Sequence, residues 1–268
     1  MGLNSFLRFA SAAHDVADAL RFFTRFSVRA TPDADAALDI GRIAWAAPIA
    51  GVFVGLAGAL VLALTALLGL PLVLRASFAT AAVVLSTGAL HEDGLADVAD
   101  GFGGGLTRAR KLEIMRDSRI GAYGAIAVAI ALIVRIGALT AALDGGLWRA
   151  SLSLMLVGAL SRAAALTPLA LLPAARADGA GAAAGRLDSS GLAASWGSAL
   201  VIAVALGLVA LGLAHALIAV LISSGAALAM VGLARRAIGG QTGDVAGAAQ
   251  QCGEIAAWCG LLIGHAPR

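Results

Sequence analysis

The residues of this chain best equipped for chemistry lie in one stretch, 87–105, TGALHEDGLADVADGFGGG. It holds four acids in nine residues: Glu92, Asp93, Asp97 and Asp100. Asp93, Asp97 and Asp100 are spaced i, i+4, i+7, so on a helix they fall within an arc of about 60°. Three carboxylates on one stripe repel each other unless a cation sits between them. Their hard oxygens suit Mg²⁺ or Mn²⁺. Glycines at 94, 101, 103, 104 and 105 remove side chains nearby, so a large ligand can approach the backbone. Glu92 points about 100° off the stripe and reads as a solvated neighbour. His91 reads as a phosphate or proton partner, or equally as a capping or interface residue. The competing reading is an exposed loop with two Asp-Gly turns, or acids paired with nearby arginines.

Two further polar stretches carry chemistry. Arg108, Arg110, Lys111, Arg116 and Arg119 stand against Glu113 and Asp117. A surface helix on anionic lipid headgroups would look like this. Its end, Arg116-Asp117-Ser118-Arg119-Ile120-Gly121, is more pointed, because arginines clamp phosphates and Asp117 could add a ligand. Gly239-Gly240-Gln241-Thr242-Gly243-Asp244 is a Gly-rich turn ending in an acid, able to aim backbone N–H groups at an anion. Gly239, Gly243 and Gly247 also form a GxxxGxxxG series, so helix packing competes. The GxxxxGK[ST] phosphate loop is absent.

Arg135 and Arg162 lie inside apolar segments, where a charge is a functional candidate by default, although arginine also snorkels from a span end. No Ser–His–Asp or Cys–His arrangement stands out. Metal-assisted phosphoryl transfer needs no protein nucleophile; it needs a metal, positive clamps and a positioned alcohol.

The elements that must position these groups are membrane helices. The 268 residues are 60% hydrophobic and 13% charged, with mean hydropathy +0.92; soluble domains carry about 25% charged residues. The fold class expected is all-α, a polytopic transmembrane bundle forming a single integral membrane domain. Six to seven spans are expected, each apolar run approaching the ~20 residues a bilayer requires. They fall at about 43–70, 72–90, 121–143 and 148–172, with two more in the long apolar run 193–234, turning near 212–215. A last short helix, 255–264, spans fully only if it begins near 245. Gly51 and Gly55 make a GxxxG contact face.

Residues 3–26 read as an amphipathic helix, with Phe6, Phe9, Ala13, Val16, Leu20 and Phe23 at helical spacing. Arg8, Asp15, Asp18, Arg21 and Arg25 fill the other positions, and a connector with a Thr31-Pro32-Asp33 break completes 1–42. No cleavable signal peptide is expected, since His14, Asp15 and Asp18 interrupt any apolar core. Cys252 and Cys259 lie seven apart on one helix, too far for a bridge.

Net charge is +3, with basic residues spread between spans, so no nucleic-acid partner is expected. The positive-inside rule collects the arginines of 1–42, 91–120, 173–190 and 235–236 on one side. It leaves Arg75 and Arg149 on the other. The segments 91–120 and 239–254 therefore face the cytoplasm together.

The segments TGALHEDGLADVADG, LEIMRDSRIGAYG and GGQTGDVAGAAQQCGE, in this order, resemble those of the cobalamin synthase family, the adenosylcobinamide-GDP ribazoletransferases. LRFFTRFSV resembles that family's FxTRxPV segment, with Ser27 where proline is usual. The likeness runs from about residue 19 to 262. It implies a bacterial inner-membrane transferase that joins adenosylcobinamide-GDP to α-ribazole, or its 5′-phosphate, and releases GMP with Mg²⁺. By that resemblance Asp93, Asp97 and Asp100 would hold the metal against the diphosphate. Asp117, Arg116 and Arg119 would complete a charged rim, and Gln241, Thr242 and Asp244 the opposite wall, with His91 and Arg162 as further substrate contacts. A homo-oligomer is permitted by the Gly-rich faces. A CDP-alcohol phosphotransferase is disfavoured, because its DGxxAR pattern fails where Asp97 follows Ala96. A cation transporter would place its acids at broken helices in paired repeats, and no duplicated half is visible.

Overall fold

A computed structural model describes residues 3–28, 39–176 and 187–264. The Thr31-Pro32-Asp33 break, Arg29 and Arg186 lie outside the described residues, as do the side chains of Phe6, Arg8 and Phe9. The described residues are helical throughout apart from turns and one isolated bridge. The chain is a multi-pass helical membrane protein. Among the described residues five helical segments are long and apolar enough to cross a membrane, Ile40–Leu67, Ala122–Asp144, Leu147–Leu171, Ser189–Leu211 and Leu213–Ile238, and the bent pair Leu72–Thr87 and Leu90–Gly104 makes a sixth if it counts as one span.

In chain order the helices are α1 (Leu3–Phe23), α2 (Ile40–Ile43), α3 (Ala47–Leu67), α4 (Leu72–Thr87), α5 (Leu90–Gly104) and α6 (Arg108–Ile114). They continue with α7 (Ala122–Asp144), α8 (Leu147–Leu171), α9 (Ser189–Leu206), α10 (Leu213–Ile238) and α11 (Gly243–Leu262). The long apolar run divides as its length required. A π-turn, Gly207–Leu211, leads into Gly212 at φ 86°, and α10 starts at the next residue.

α8 is the bundle's central post, packed by α3, α9, α10 and α11. The GxxxG face of α3 is used here. A Cβ on Gly51 would strike the Gly158 carbonyl, and one on Gly55 the Leu154 carbonyl. α11 is central too. It is buried among α5, α7, α8 and α10, and its modest hydropathy reflects polar residues turned inward: Gln250, Gln251 and Glu254 are each at most 5% exposed.

The second expected span is where the structure departs most from the hydropathy reading. α4 stops at Thr87, and α5 leaves it at 87°. Gly88 (φ 65°) and Ala89 (φ 58°) are both left-handed, a conformation that costs a non-glycine residue about 1 kcal/mol. Arg25 fills the space above the bend. A Cβ on Gly88 would meet Arg25 Nε at 2.5 Å, and the Arg25 N–H donates to the Ser86 carbonyl (2.7 Å). The acid stripe therefore rides a separate helix rather than continuing the span.

α1 is helical as its periodicity implies, and Ala19 and Phe23 are buried. Its two acids, however, do not face water. Asp15 accepts from Trp45 Nε1 (3.0 Å), and Asp18 pairs with Arg42. These partners come from the α2–α3 entry, so charge pairing as well as apolar contact seats α1 on the bundle.

Candidate active site

On α5 the three aspartates share one face, as their spacing requires. Asp93 is exposed; Asp97 and Asp100 are half-buried. Burial pushes the Asp97 carboxyl up from 3.8 to about 7, aided by Asp244, Asp93 and Asp100 and opposed by Arg176. A carboxylate in such company is relieved by a cation.

Asp244 reaches this stripe from the start of α11. Thr242 caps that helix, its hydroxyl accepting from the Val245 N–H (3.3 Å) and donating to Asp244 Oδ2 (3.1 Å). Arg176 Nη2 donates to the same oxygen (2.8 Å). Burial raises the Asp244 carboxyl, while Arg176 and the Thr242 hydroxyl draw it back. Arg176 is delivered by a short parallel pairing. The Gln241 N–H donates to the Pro173 carbonyl and the Ala175 N–H to the Gln241 carbonyl, both at 2.8 Å. Gly240 is needed there because a Cβ would sit 2.5 Å from the Pro173 oxygen.

Asp100 is differently employed. Its Oδ2 accepts from the Gly121 N–H (2.7 Å) and its Oδ1 from the Gly124 N–H (2.9 Å). It thus caps the N-terminus of α7 from across the fold. A Cβ on either glycine would collide with that carboxylate. So the 116–121 stretch meets α5 at Asp100, not at Asp93 or Asp97. Within it, Arg119 forks onto Asp117 (Nε–Oδ1 3.0 Å, Nη2–Oδ2 2.7 Å), and this holds the exposed Asp117 carboxyl down at about 2. Arg116 is exposed on the same stretch. Of the other basic residues, Arg108 donates to the Ile238 carbonyl (2.7 Å) at the end of α10. Lys111 donates to the Phe102 and Gly105 carbonyls (2.9 and 2.6 Å) at the end of α5. Both act as helix C-terminal cations.

His91 and Arg162 lie inside the bundle, at 3% and 1% exposure. His91 stacks on Phe23, ring centroids 6.4 Å apart. Arg162 Nη1 donates to Ser161 Oγ (3.0 Å). Glu92 is not the solvated neighbour its offset suggested. The 100° that takes it off the stripe turns it inward, where Arg135 Nη1 grips Oε1 at 2.6 Å. Arg135 Nε also holds Glu254 (2.8 Å). Gln251 Nε2 donates to Glu92 (3.1 Å) and Gln250 Nε2 to Glu254 (2.8 Å). Two arginines and two glutamates balance in charge beneath the aspartates.

The profile of the cobalamin-5-phosphate synthases matches residues 15–262. The chain belongs to that family. It is 50% identical to the adenosylcobinamide-GDP ribazoletransferase of Azorhizobium caulinodans, over 96% of this chain and 98% of the relative. The enzymes of the same name from Xanthobacter autotrophicus and Bradyrhizobium diazoefficiens are 48% and 46% identical, over 94% and 90% of this chain and 96% and 90% of theirs. No solved structure matches. The chain is a transferase of cobalamin synthesis.

In this cobalamin-5-phosphate synthase family member, Asp93, Asp97, Thr242 and Asp244 come together. Gln241 supports them through its backbone. Asp117 and Arg119 border the far end of α5, and His91 and Arg162 lie beneath. Arg176 is the site residue the motifs did not reveal, and nothing local marks it. Arg135 did signal its role, because a charge inside an apolar span demands a partner. Among the described residues no group of three or more His, Cys, Asp or Glu side chains is arranged to hold a metal ion. The oxygen donors nonetheless suit Mg²⁺, which takes one or two carboxylates together with substrate phosphates rather than a protein cage.

Proposed function

We propose that this protein joins adenosylcobinamide-GDP to α-ribazole, or its 5′-phosphate, and releases GMP, closing the nucleotide loop of cobalamin. The ribazole 3′-hydroxyl oxygen attacks the phosphorus attached to cobinamide. A new P–O bond forms, the P–O bond to GMP breaks, and the hydroxyl proton passes to a carboxylate of the site. Asp93, Asp97 and Asp244 would hold Mg²⁺. When bound, the ion would offset charge on the diphosphate. Arg176 anchors Asp244 at the stripe and adds a positive charge beside the phosphates. Gly94 lets α11 pack closely on α5 so that Asp244 meets the stripe, and the Asp100 cap keeps α7 in place at its far end.

The observation that carries this reading is the convergence of Asp244 and Arg176 on the Asp93–Asp97 stripe, in a chain whose relatives carry that enzyme name. The arginine bias supports a site on the cytoplasmic side, which in a bacterium is the inner face of the inner membrane. The test is GMP release by purified protein in lipid vesicles, supplied with adenosylcobinamide-GDP, α-ribazole and Mg²⁺. Release that requires both organic substrates and stops in excess chelator is expected. Ion flux through the same vesicles without GMP release would replace this reading with a transporter.

A further inference from the structure

A groove of about 310 Å³ opens beside the acid stripe, between the end of α5, α6 and the start of α7. It shares Asp100 with the stripe, so the two are continuous. Its volume falls at the low end of the ~300–1,000 Å³ of ligand pockets, which admits a nucleoside and excludes a corrin ring.

Two side chains frame it, Tyr123 and Ile114, both beside α5. Tyr123 is the chain's single tyrosine. A Cβ on Gly103 would lie 3.0 Å from its ring, so only glycine lets the ring settle against the helix. Ile114 lies over Gly104, where an added Cβ would make an ordinary contact at 3.6 Å. Tyr123 remains 57% exposed. A planar base can therefore stack on it beside Ile114. The rim is charged: Arg110 pairs with Glu113 (2.7 Å) and Arg119 with Asp117 (2.7 Å). Exposed pairs of this kind are held weakly and can exchange partners with a ligand.

Resting on the proposed transferase reaction, we infer that this groove is the guanosine subsite. Tyr123 stacks the base, and Glu113 accepts from its N1–H and 2-amino group. Arginine donors suit guanine O6 and N7, and Arg110 stands next to Glu113. The two acceptor oxygens of Glu113 select a base with adjacent N–H donors. The benzimidazole of ribazole has none, so the acceptor nucleoside binds elsewhere. From Asp100 the stripe runs back about 10 Å to Asp93, which places the diphosphate on the stripe when the guanosine is in the groove.

The test measures GMP and IMP binding to the full-length protein in nanodiscs, alongside KM for both substrates. Tyr123→Leu keeps an apolar contact on Gly103, and Glu113→Gln alters only an exposed rim. GMP affinity should fall at least tenfold in each, while Tyr123→Phe binds as wild type. KM for the guanosine donor should rise with KM for ribazole unchanged. The wild-type preference for GMP over IMP, which lacks the 2-amino group, should vanish in Glu113→Gln. Wild-type GMP affinity in both Tyr123→Leu and Glu113→Gln overturns the subsite, as does a parallel rise in both KM values. A wild-type protein that binds GMP through Tyr123 and Glu113 yet releases none from the donor upholds the subsite and sinks the transferase reading.

Discussion

Gly94 on α5 and Gly247 on α11 meet backbone to backbone: a Cβ on Gly94 would lie 3.1 Å from the Gly247 Cα and 2.8 Å from the Asp244 carbonyl oxygen. Sequence spacing offered helix packing and ligand binding as rival explanations for the glycines of 239–247. The structure shows the packing at Gly247, and that close packing is what sets Asp244 beside Asp97. Gly94→Ala must push the two helices apart. Turnover should fall about 10²-fold, the scale of a 1 Å misplacement, with membrane insertion intact. Normal turnover in a folded Gly94→Ala protein would show that the contact does not set the site.

Asp93 and Asp100 share a stripe but should respond differently to mutation. Asp93 is exposed at the site, and Asp93→Asn should reduce GMP release about 10²–10³-fold with little change in melting temperature. Asp100 caps α7 through two backbone N–H groups. Asp100→Ala should cost about 1 kcal/mol of stability, read as a lower melting temperature in detergent, and move the Mg²⁺ midpoint much less than Asp93→Asn does. A large shift in that midpoint with unchanged melting would make Asp100 a ligand rather than a cap.

The interior network predicts a non-additive series. Arg135→Met leaves Glu92 and Glu254 with Arg162 as their one remaining counter-charge in an apolar bundle, and breaking such a buried pair costs about 3–5 kcal/mol. Adding Glu92→Gln leaves Glu254 balanced by the buried Arg162 and should recover most of the loss. Thermal denaturation of the two single variants and the double measures this. Additive losses would mean that the junction of α5, α7 and α11 is held by packing alone.

What the sequence revealed and what it hid divide along physical lines. The apolar spans, the helical stripe of Asp93, Asp97 and Asp100, and the break at Gly212 depend on local periodicity and local turn chemistry, and the residues involved are neighbours in the chain. The Arg135–Glu92 pair joins residues 43 apart, and Arg176–Asp244 joins residues 68 apart. Such pairs exist only after helices dock. Glu92 was misplaced for that reason: its direction off the stripe was correct, but which side of α5 faces the bundle is decided by α7 and α11. The 87° bend at Gly88–Ala89 was hidden too, because hydropathy runs smoothly to Leu90 while an alanine occupies a left-handed backbone.

Asp97 carries a pH signature. Its carboxyl, pushed up to about 7 by burial and by Asp244, Asp93 and Asp100, reverts in the unfolded chain to about 3.9. Between those values the folded protein holds a proton that the unfolded chain has released, so stability falls as pH rises through the window. In metal-free detergent solution the melting temperature should decline from about pH 4 to about pH 7 and level off above it. Asp97→Asn has no such proton to lose; its slope should flatten, and above about pH 7 it should melt higher than wild type while turning over poorly, a site residue kept at the expense of stability. Mg²⁺ added near pH 8 should raise the wild-type melting temperature and leave that of Asp97→Asn nearly unmoved. Equal pH slopes in the two proteins would remove Asp97 as the titrating group.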